Sequence, residues 1–220
     1  MNSVRIWYKK SGLAIYTSHL DMNRCFTRAV TRAGIPLWYT EGFNPHPYLN
    51  FLLPLPLGQT GLREPIDIRI EKDMTKEEIK EKLNGVLPGG IEIVDVTDPV
   101  GKVNEIVSSK YIIDMSFDTV GEAEGFAVCA SSIMEEGVLN AEKRSKRGIK
   151  TVNLCEFVDS FEISQSENTI RMEAVLATGT EKNLNANLLV DALCSQLAAD
   201  YASLSITRTE IYINNKKIFE

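Results

Sequence analysis

Cysteine and histidine are scarce in this chain of 220 residues, which holds four cysteines and two histidines. The cysteines are far apart and form no CxxC pair: Cys25, Cys129, Cys155 and Cys194. This spacing indicates neither a zinc knuckle nor a redox dithiol, and the missing CxxxCxxC run excludes a cysteine-held iron–sulfur cluster. A Gly-rich phosphate loop and a Ser/His/Asp arrangement are also missing. We therefore expect reduced thiols, no metal and no cofactor.

Long hydrophobic runs are absent too, although 44% of the residues are hydrophobic and 25% are charged. No apolar run is long enough to cross a bilayer. The N-terminal residues do not combine a basic region with a hydrophobic run, as a secretory signal does. The sequence therefore predicts a cytoplasmic protein that has no membrane partner.

Positive charge is scarce overall but concentrated near the N-terminus. The net charge is −6, yet residues 1–58 carry six Lys or Arg against two acids, a net charge of +4. The remainder carries 18 bases against 28 acids, a net charge of −10. This imbalance argues against a general nucleic-acid coat protein and favours an anionic ligand that is met at one place.

Hydrophobic periodicity predicts an α+β fold built from two tandem ferredoxin-like (βαββαβ) halves. The halves are residues 1–97 and 109–220, joined by a linker over 97–108. In the first half we predict helices after Ser18 and Thr75, and strands over 4–9, 37–40, 49–53, 66–71 and 91–96; residues 13–17 continue the first strand after a bulge or form a hairpin arm. In the second half we predict helices over 120–134 and 185–198, strands over 110–117, 152–164, 169–177 and 202–213, and a charged strand or hairpin over 138–150.

The first predicted helix has two different faces. Ser18 is a candidate N-cap and Gly34 a candidate C-cap. Apolar residues recur at helical spacing on one face, and Arg24, Arg28 and Arg32 follow one another on another face. Such a face is either simply solvated or follows phosphates, because guanidinium groups recognise phosphate oxygens in two-point geometry and lie roughly 6 Å apart here.

Two prolines enclose a histidine in the loop after this helix. Pro45 and Pro47 flank His46 and stiffen the backbone on both sides of it. The neighbouring aromatic residues, Tyr39 and Phe43 with Trp38 and Tyr48, could stack on bases, and Asn44 and His46 could read a base edge or a sugar hydroxyl. The alternative is a rigid structural turn in which the histidine is only a hydrogen-bond partner.

Catalysis would have to use the few suitable side chains of the same region. His19 and His46, with Tyr16, could cleave RNA without a metal, one group removing the 2′-hydroxyl proton and another protonating the leaving oxygen. His19 could equally be half-buried and hydrogen-bonded. His19, Asp21 and His46 could also bind a metal, but their spacing is not diagnostic.

A second basic segment lies in the acidic half. Residues 143–150 hold five bases in eight positions, among them Lys143, Arg144, Lys146 and Arg147. This run is either a solvated hairpin tip or a surface that lies along an RNA backbone.

The motifs of residues 16–58 resemble those of the radical-SAM-linked domain family of unknown function. They are the Tyr16–Asp21 segment, the three arginines with Arg32-Ala33-Gly34-Ile35-Pro36, the Gly42–Pro47 loop and Leu55-Pro56-Leu57-Gly58. The match extends over residues 4–71, with Tyr48 where the family usually has a basic residue. The resemblance implies a bacterial domain fused to, or encoded beside, a radical SAM protein.

Three functions follow as hypotheses. The first is a non-catalytic module that binds a tRNA or ribosomal RNA and presents it to a separate radical SAM enzyme. The second is a metal-independent endoribonuclease, since tandem ferredoxin-like folds resemble those that cut CRISPR repeats, although Asn214-Asn215-Lys216 replaces their usual Gly-rich loop. The third is an adaptor whose residues 16–58 dock a radical SAM partner.

Overall fold

The computed structural model describes residues 2–145, 148–179, 182–214 and 217–220; the side chains of residues 143–145 and 149 are outside the description. The chain divides into two compact units, Met1–Val103 together with Glu220, and Asn104–Phe219. Each unit has its own strands, helices and hydrophobic core, so the α+β class predicted from the sequence is confirmed. Among the described helices, none is both long and apolar enough to span a bilayer.

The first unit combines four strands with two helices. Along the chain these are β1 (Asn2–Lys10), α1 (His19–Arg32), β2 (Leu49–Phe51), β3 (Thr60–Ile70), α2 (Lys76–Asn84) and β4 (Ile91–Thr97). The strands lie in the order β4-β1-β3-β2, and every neighbouring pair is antiparallel. Alternate residues of β1 and β3 face the core, where they meet the apolar stripes of both helices.

Three local predictions for this unit are wrong. Residues Gly12–Tyr16 form a 3-10 helix instead of a strand, because Gly12, at φ +57°, turns the chain. The segment over 37–40 makes only the isolated bridges Leu37–Ile70 and Tyr39–Pro47. Strand β3 begins at Thr60, six residues before the predicted start, and passes through Pro65. The carbonyl oxygen of Pro65 accepts a hydrogen bond from Leu52 N. The charged run before Pro65 hid this extension from the hydrophobic pattern.

The second unit repeats the element order with an insertion. It contains β5 (Ile106–Ser116), α3 (Val120–Glu136), β6 (Asn140–Ser145), β7 (Gly148–Asn153), β8 (Val158–Ser166), β9 (Thr169–Ala177), α4 (Ala186–Leu197), β10 (Ser203–Ile213) and β11 (Lys217–Ile218). The strand order is β10-β5-β9-β8, with β11 added to β10, while β6 and β7 form a separate hairpin. Without the insertion, this order corresponds to that of the first unit.

The second unit corrects the predicted elements in three places. The strand expected over 152–164 is interrupted by a 3-10 helix, Leu154–Phe157, which Asn153 caps by accepting from Cys155 N at 3.2 Å. The expected linker over 97–108 contains the end of β4, a 3-10 helix at Val103–Glu105 and the start of β5. Strand β11 had no sequence signal, since two residues make too short a pattern.

Candidate nucleic-acid interface

Helix α1 is anchored at both ends. The Ser18 hydroxyl accepts a hydrogen bond from Asp21 N at 3.1 Å, so the predicted N-cap is confirmed. The ammonium of Lys10 donates to Thr17 O at 2.9 Å and holds the residue just before the cap. The helix ends at Arg32 with Ala33 as its C-cap, so the predicted C-cap at Gly34 is wrong by one residue; Gly34 follows at a φ of +66°, which is easy for glycine. These contacts hold the ends of α1, and burial of its apolar stripe turns the arginine face to solvent.

The three arginines of α1 are exposed and line one shallow groove of ≈ 670 Å³. Arg24, Arg28 and Arg32 stand along one edge of it, four residues apart. The remaining wall is formed by the other lining residues, Asp21, Cys25, Ala29, Val86, Leu87 and Pro88. Neither histidine lines this groove, so the arginine row is one feature and the proline loop is another.

The positive charges of the arginine row, Arg24, Arg28 and Arg32, are hardly neutralised by nearby carboxylates. Asp21 lies 3.5 Å from the Arg24 guanidinium, and both side chains are more than half exposed, so this pair contributes little energy. Within the described part of the chain, no carboxylate lies within 4.0 Å of Arg28 or Arg32. Burial raises the pKa of the nearby Cys25 thiol, and the charge of Arg28 opposes that rise only in part. The groove therefore presents fixed positive charge beside a neutral thiol.

The proline loop is held by hydrogen bonds at its base. Thr40 N donates to His46 O at 2.9 Å, and Tyr48 N donates to Trp38 O at 3.0 Å. His46 N donates to the Thr40 hydroxyl at 3.2 Å, and His46 Nδ1 lies 3.0 Å from the same oxygen. The histidine is thus fixed in orientation while its ring stays exposed.

The predicted stacking residues fall into two groups. Tyr39 and Phe43 are exposed. Trp38 and Tyr48 are partly buried and already engaged, because the Arg69 guanidinium lies 4.2 Å from the Tyr48 ring centre and 5.4 Å from that of Trp38. Asn44 is exposed beside them. Only the first two rings are open to a new partner.

The candidate catalytic residues are exposed and separately placed. His19 is exposed, not half-buried, and its ring contacts the Phe51 edge-to-face at 5.2 Å between ring centres. Tyr16 is exposed in the 3-10 helix. Across the described residues no hydrogen bond joins Tyr16, His19 and His46, and no group of three His, Cys, Asp or Glu side chains forms a metal site.

Part of the basic run of the second unit lies outside the described residues. Lys146 and Arg147 lie outside the described residues, as do the side chains of Lys143 and Arg144. The backbone pairing of β6 with β7 agrees with the hairpin expected there.

Sequence reasoning missed two features of the first unit. One is an exposed apolar group around the 3-10 helix and the start of α1, formed by Leu13, Tyr16, Leu20 and Leu57. Gly58 N donates to Ile15 O at 2.9 Å, which places Leu57 beside this helix. The other is the burial of Lys10 and Glu64, each 1% exposed. The sequence held one signal for the exposed apolar group: Leu20 lies outside the apolar stripe of α1.

Solved structures that match this protein share little sequence identity with it. A chain of the crystal structure of a Cbf5-Nop10-Gar1 complex is similar to this protein at a TM-score of 0.50 and 11% identity, covering 94% of this chain and 48% of that chain. This protein thus spans about half the length of that solved chain. An unknown protein from Galdieria sulphuraria matches at a TM-score of 0.26 and 11% identity, covering 94% and 98%. No curated protein sequence matches significantly.

A family profile described as an uncharacterized protein conserved in bacteria matches residues 3–186. This match includes nearly all of the first unit and most of the second. The protein therefore belongs to that bacterial family, DUF2344.

Proposed function

We propose that this protein is a non-catalytic RNA-binding module that presents a structured RNA, a tRNA or ribosomal RNA, to a separate radical SAM enzyme. The observation that carries the RNA contact is the groove along α1, where Arg28 and Arg32 point into solvent without a carboxylate within 4.0 Å in the described residues. Such guanidinium groups bind phosphate oxygens in two-point geometry. The radical SAM partner rests on the motif resemblance of residues 16–58.

The element order supports the finer description of the fold. Each unit runs β-α-β-β-α-β, with the hairpin β6–β7 inserted in the second, and the strand orders β4-β1-β3-β2 and β10-β5-β9-β8 correspond position by position. This is the plan of a ferredoxin-like half. We therefore describe the protein as two tandem ferredoxin-like halves, with the arginine groove on α1 of the first.

Filter binding of small RNAs at low and moderate salt tests the proposal. The variant replaces Arg24, Arg28 and Arg32 together by glutamine. Its matched control replaces three cations that already have carboxylate partners, the partly buried Lys76 and Lys110 and the exposed Arg171, and so removes the same charge. Each lost phosphate contact should flatten the slope of log K against log salt by roughly 0.7 to 0.9, so the triple variant should lose about 2 to 3.

The control separates a local contact from a general charge effect. The control variant should keep the salt slope of the wild type. If both triple variants lose affinity equally, the protein attracts RNA only through its overall field. If the wild type binds no RNA, or binds it without salt dependence, the proposal is wrong. Incubation of labelled RNA in EDTA tests the endoribonuclease alternative, which requires cleavage that His46→Ala abolishes.

The exposed apolar group favours the adaptor as a second function. Leu13, Tyr16, Leu20 and Leu57 are exposed side chains around the 3-10 helix and the first turn of α1. Exposed apolar residues that cluster commonly mark protein contacts. Co-purification of a neighbouring radical SAM protein, unaffected by nuclease and lost on Leu20→Asp, would favour this function. Co-purification that nuclease abolishes would favour RNA as the link.

A further inference from the structure

Phe43 has the most exposed large hydrophobic side chain of the described residues, with a relative exposure of 104%. The loop that carries Phe43 is closed by hydrogen bonds between Thr40 and His46 and by the Tyr39–Pro47 bridge. Pro45 and Pro47 further restrict its backbone. The ring is therefore presented to solvent by an ordered segment and loses little conformational entropy when a partner covers it.

The charge of this loop indicates which part of a nucleic acid it meets. Residues 41–47 contain no lysine or arginine, and Glu41 is exposed. A carboxylate repels phosphate, so this loop is unsuited to the RNA backbone, which the arginine groove attracts. An apolar ring beside polar groups suits the flat face of a base instead.

His46 adds a defined hydrogen-bonding group beside the ring. Its Nδ1 lies 3.2 Å from Asn44 O, and a carbonyl oxygen can only accept. The Asn44 carbonyl favours the tautomer with the proton on Nδ1, in which the Thr40 hydroxyl 3.0 Å away accepts as well and Nε2 is an acceptor on an exposed ring. This nitrogen can accept from an exocyclic amino group or from a ribose 2′-hydroxyl.

We infer that the Thr40–Tyr48 loop binds an unpaired nucleotide, with Phe43 stacking on the base and His46 Nε2 accepting a hydrogen bond from it. The inference rests on the proposed RNA-binding function and narrows its substrate to RNA with a single-stranded loop or bulge. A base inside a duplex cannot stack on Phe43, because both of its faces are covered by neighbours; only the two terminal pairs have a free face.

The experiment compares a hairpin RNA that has an unpaired loop with a fully paired duplex of the same number of phosphates. The wild type should bind the hairpin more tightly. Phe43→Ala should lower affinity for the hairpin by about 5- to 100-fold and leave the duplex unchanged, as stacking contacts of this kind cost on truncation. Phe43→Trp should preserve the preference. Val100→Ala, which truncates another exposed apolar side chain, is the matched control and should change neither affinity.

A second variant tests the hydrogen bond separately. His46→Phe keeps an aromatic ring but removes Nε2, and we expect a loss of about 2- to 10-fold for the hairpin alone. Thr40→Val removes the hydroxyl that accepts the hydrogen bond from His46 N. It should reproduce part of that loss, since the ring is then held by fewer contacts.

The outcomes distinguish this inference from the proposed function. If Phe43→Ala binds both RNAs like the wild type, the stacking inference is wrong while arginine-dependent RNA binding stands. If Phe43→Ala instead loses a co-purified protein and keeps RNA affinity, the loop is a protein contact and the inference is again wrong. If the wild type binds neither RNA, both proposals fail.

Discussion

The ammonium of Lys10 lies 2.9 Å from the carbonyl oxygen of Thr17 and donates a hydrogen bond to it from a position that is 1% exposed. This bond joins the end of β1 to the residue before the N-cap of α1. Burying an ammonium group costs desolvation free energy, which its hydrogen-bond and charge partners offset. The orientation of the arginine row therefore depends on a side chain that touches none of the arginines.

Replacing Lys10 with methionine should change the pH dependence of stability. Burial lowers the pKa of Lys10 from its ordinary 10.5, and the attraction of Glu64 opposes this only in part. Between the lowered value and 10.5 the unfolded chain holds a proton that the folded chain has released, so the contribution of Lys10 to the free energy of unfolding rises with pH. Urea unfolding at several alkaline pH values should show this rise in the wild type and not in Lys10→Met. Equal slopes would contradict it.

Gly90→Ala should destabilise the first unit by about 2 kcal/mol or more. Gly90 has φ +87°, and a Cβ there would lie 2.5 Å from Ser11 O, a backbone atom that cannot move away cheaply. Gly125→Ala is the matched control. Gly125 is exposed in the middle of α3, and a Cβ there would meet nothing within 4 Å apart from the backbone of its own helix. The control should gain up to about 1 kcal/mol from helix propensity. Thermal unfolding of both variants measures the difference, and equal midpoints would contradict the strain argument.

Thr119→Ala should cost about 1 kcal/mol of stability. The Thr119 hydroxyl accepts from Glu122 N at 3.2 Å, while the Glu122 carboxylate accepts from Thr119 N at 2.9 Å, so both halves of a capping box are present. Thr31→Ala in α1 is the control, since its hydroxyl donates only to Thr27 O within the helix. Chemical denaturation should show little change or a small gain for the control. A loss as large as that of Thr119→Ala would argue against the cap.

Tyr212 should be among the last tyrosines to ionise. Burial, followed by a hydrogen bond from its hydroxyl to the Glu210 carboxylate, raises its pKa to about 12. Between pH 10 and this value the folded chain keeps a proton that the unfolded chain loses, so this contribution to stability falls as pH rises. Absorbance titration of tyrosinate should show a transition near pH 12 that Tyr212→Phe lacks. If the wild-type and Tyr212→Phe curves differ only near pH 10, the pKa of Tyr212 is not raised.

The sequence predicted the elements whose signals are local. Ser18 and Thr75 cap the helices predicted to follow them, and β9 spans the strand predicted over 169–177. It failed where tertiary contacts override the pattern. The 3-10 helix of residues 12–16 has an apolar sequence like a strand, and the tertiary contacts of Ser11 with Gly90 and of Gly58 with Ile15 help to hold its shape.

The candidate site was predicted in parts but not as an arrangement. Helical spacing is enough to put Arg24, Arg28 and Arg32 on one face, because that depends only on 3.6 residues per turn. It cannot tell which aromatic rings are free. Trp38 and Tyr48 resemble Tyr39 and Phe43 in sequence, and only the approach of Arg69 from β3 distinguishes them.

Helix α1 gives the arginine row two unequal ends. Four-residue spacing continues backwards from Arg24 to the exposed Leu20, so one end of the row is hydrocarbon and the other is the guanidinium of Arg32. The positive stretch of α1 therefore stops at Arg24 on one side and, with eight residues from Arg24 to Arg32, is only about 12 Å long.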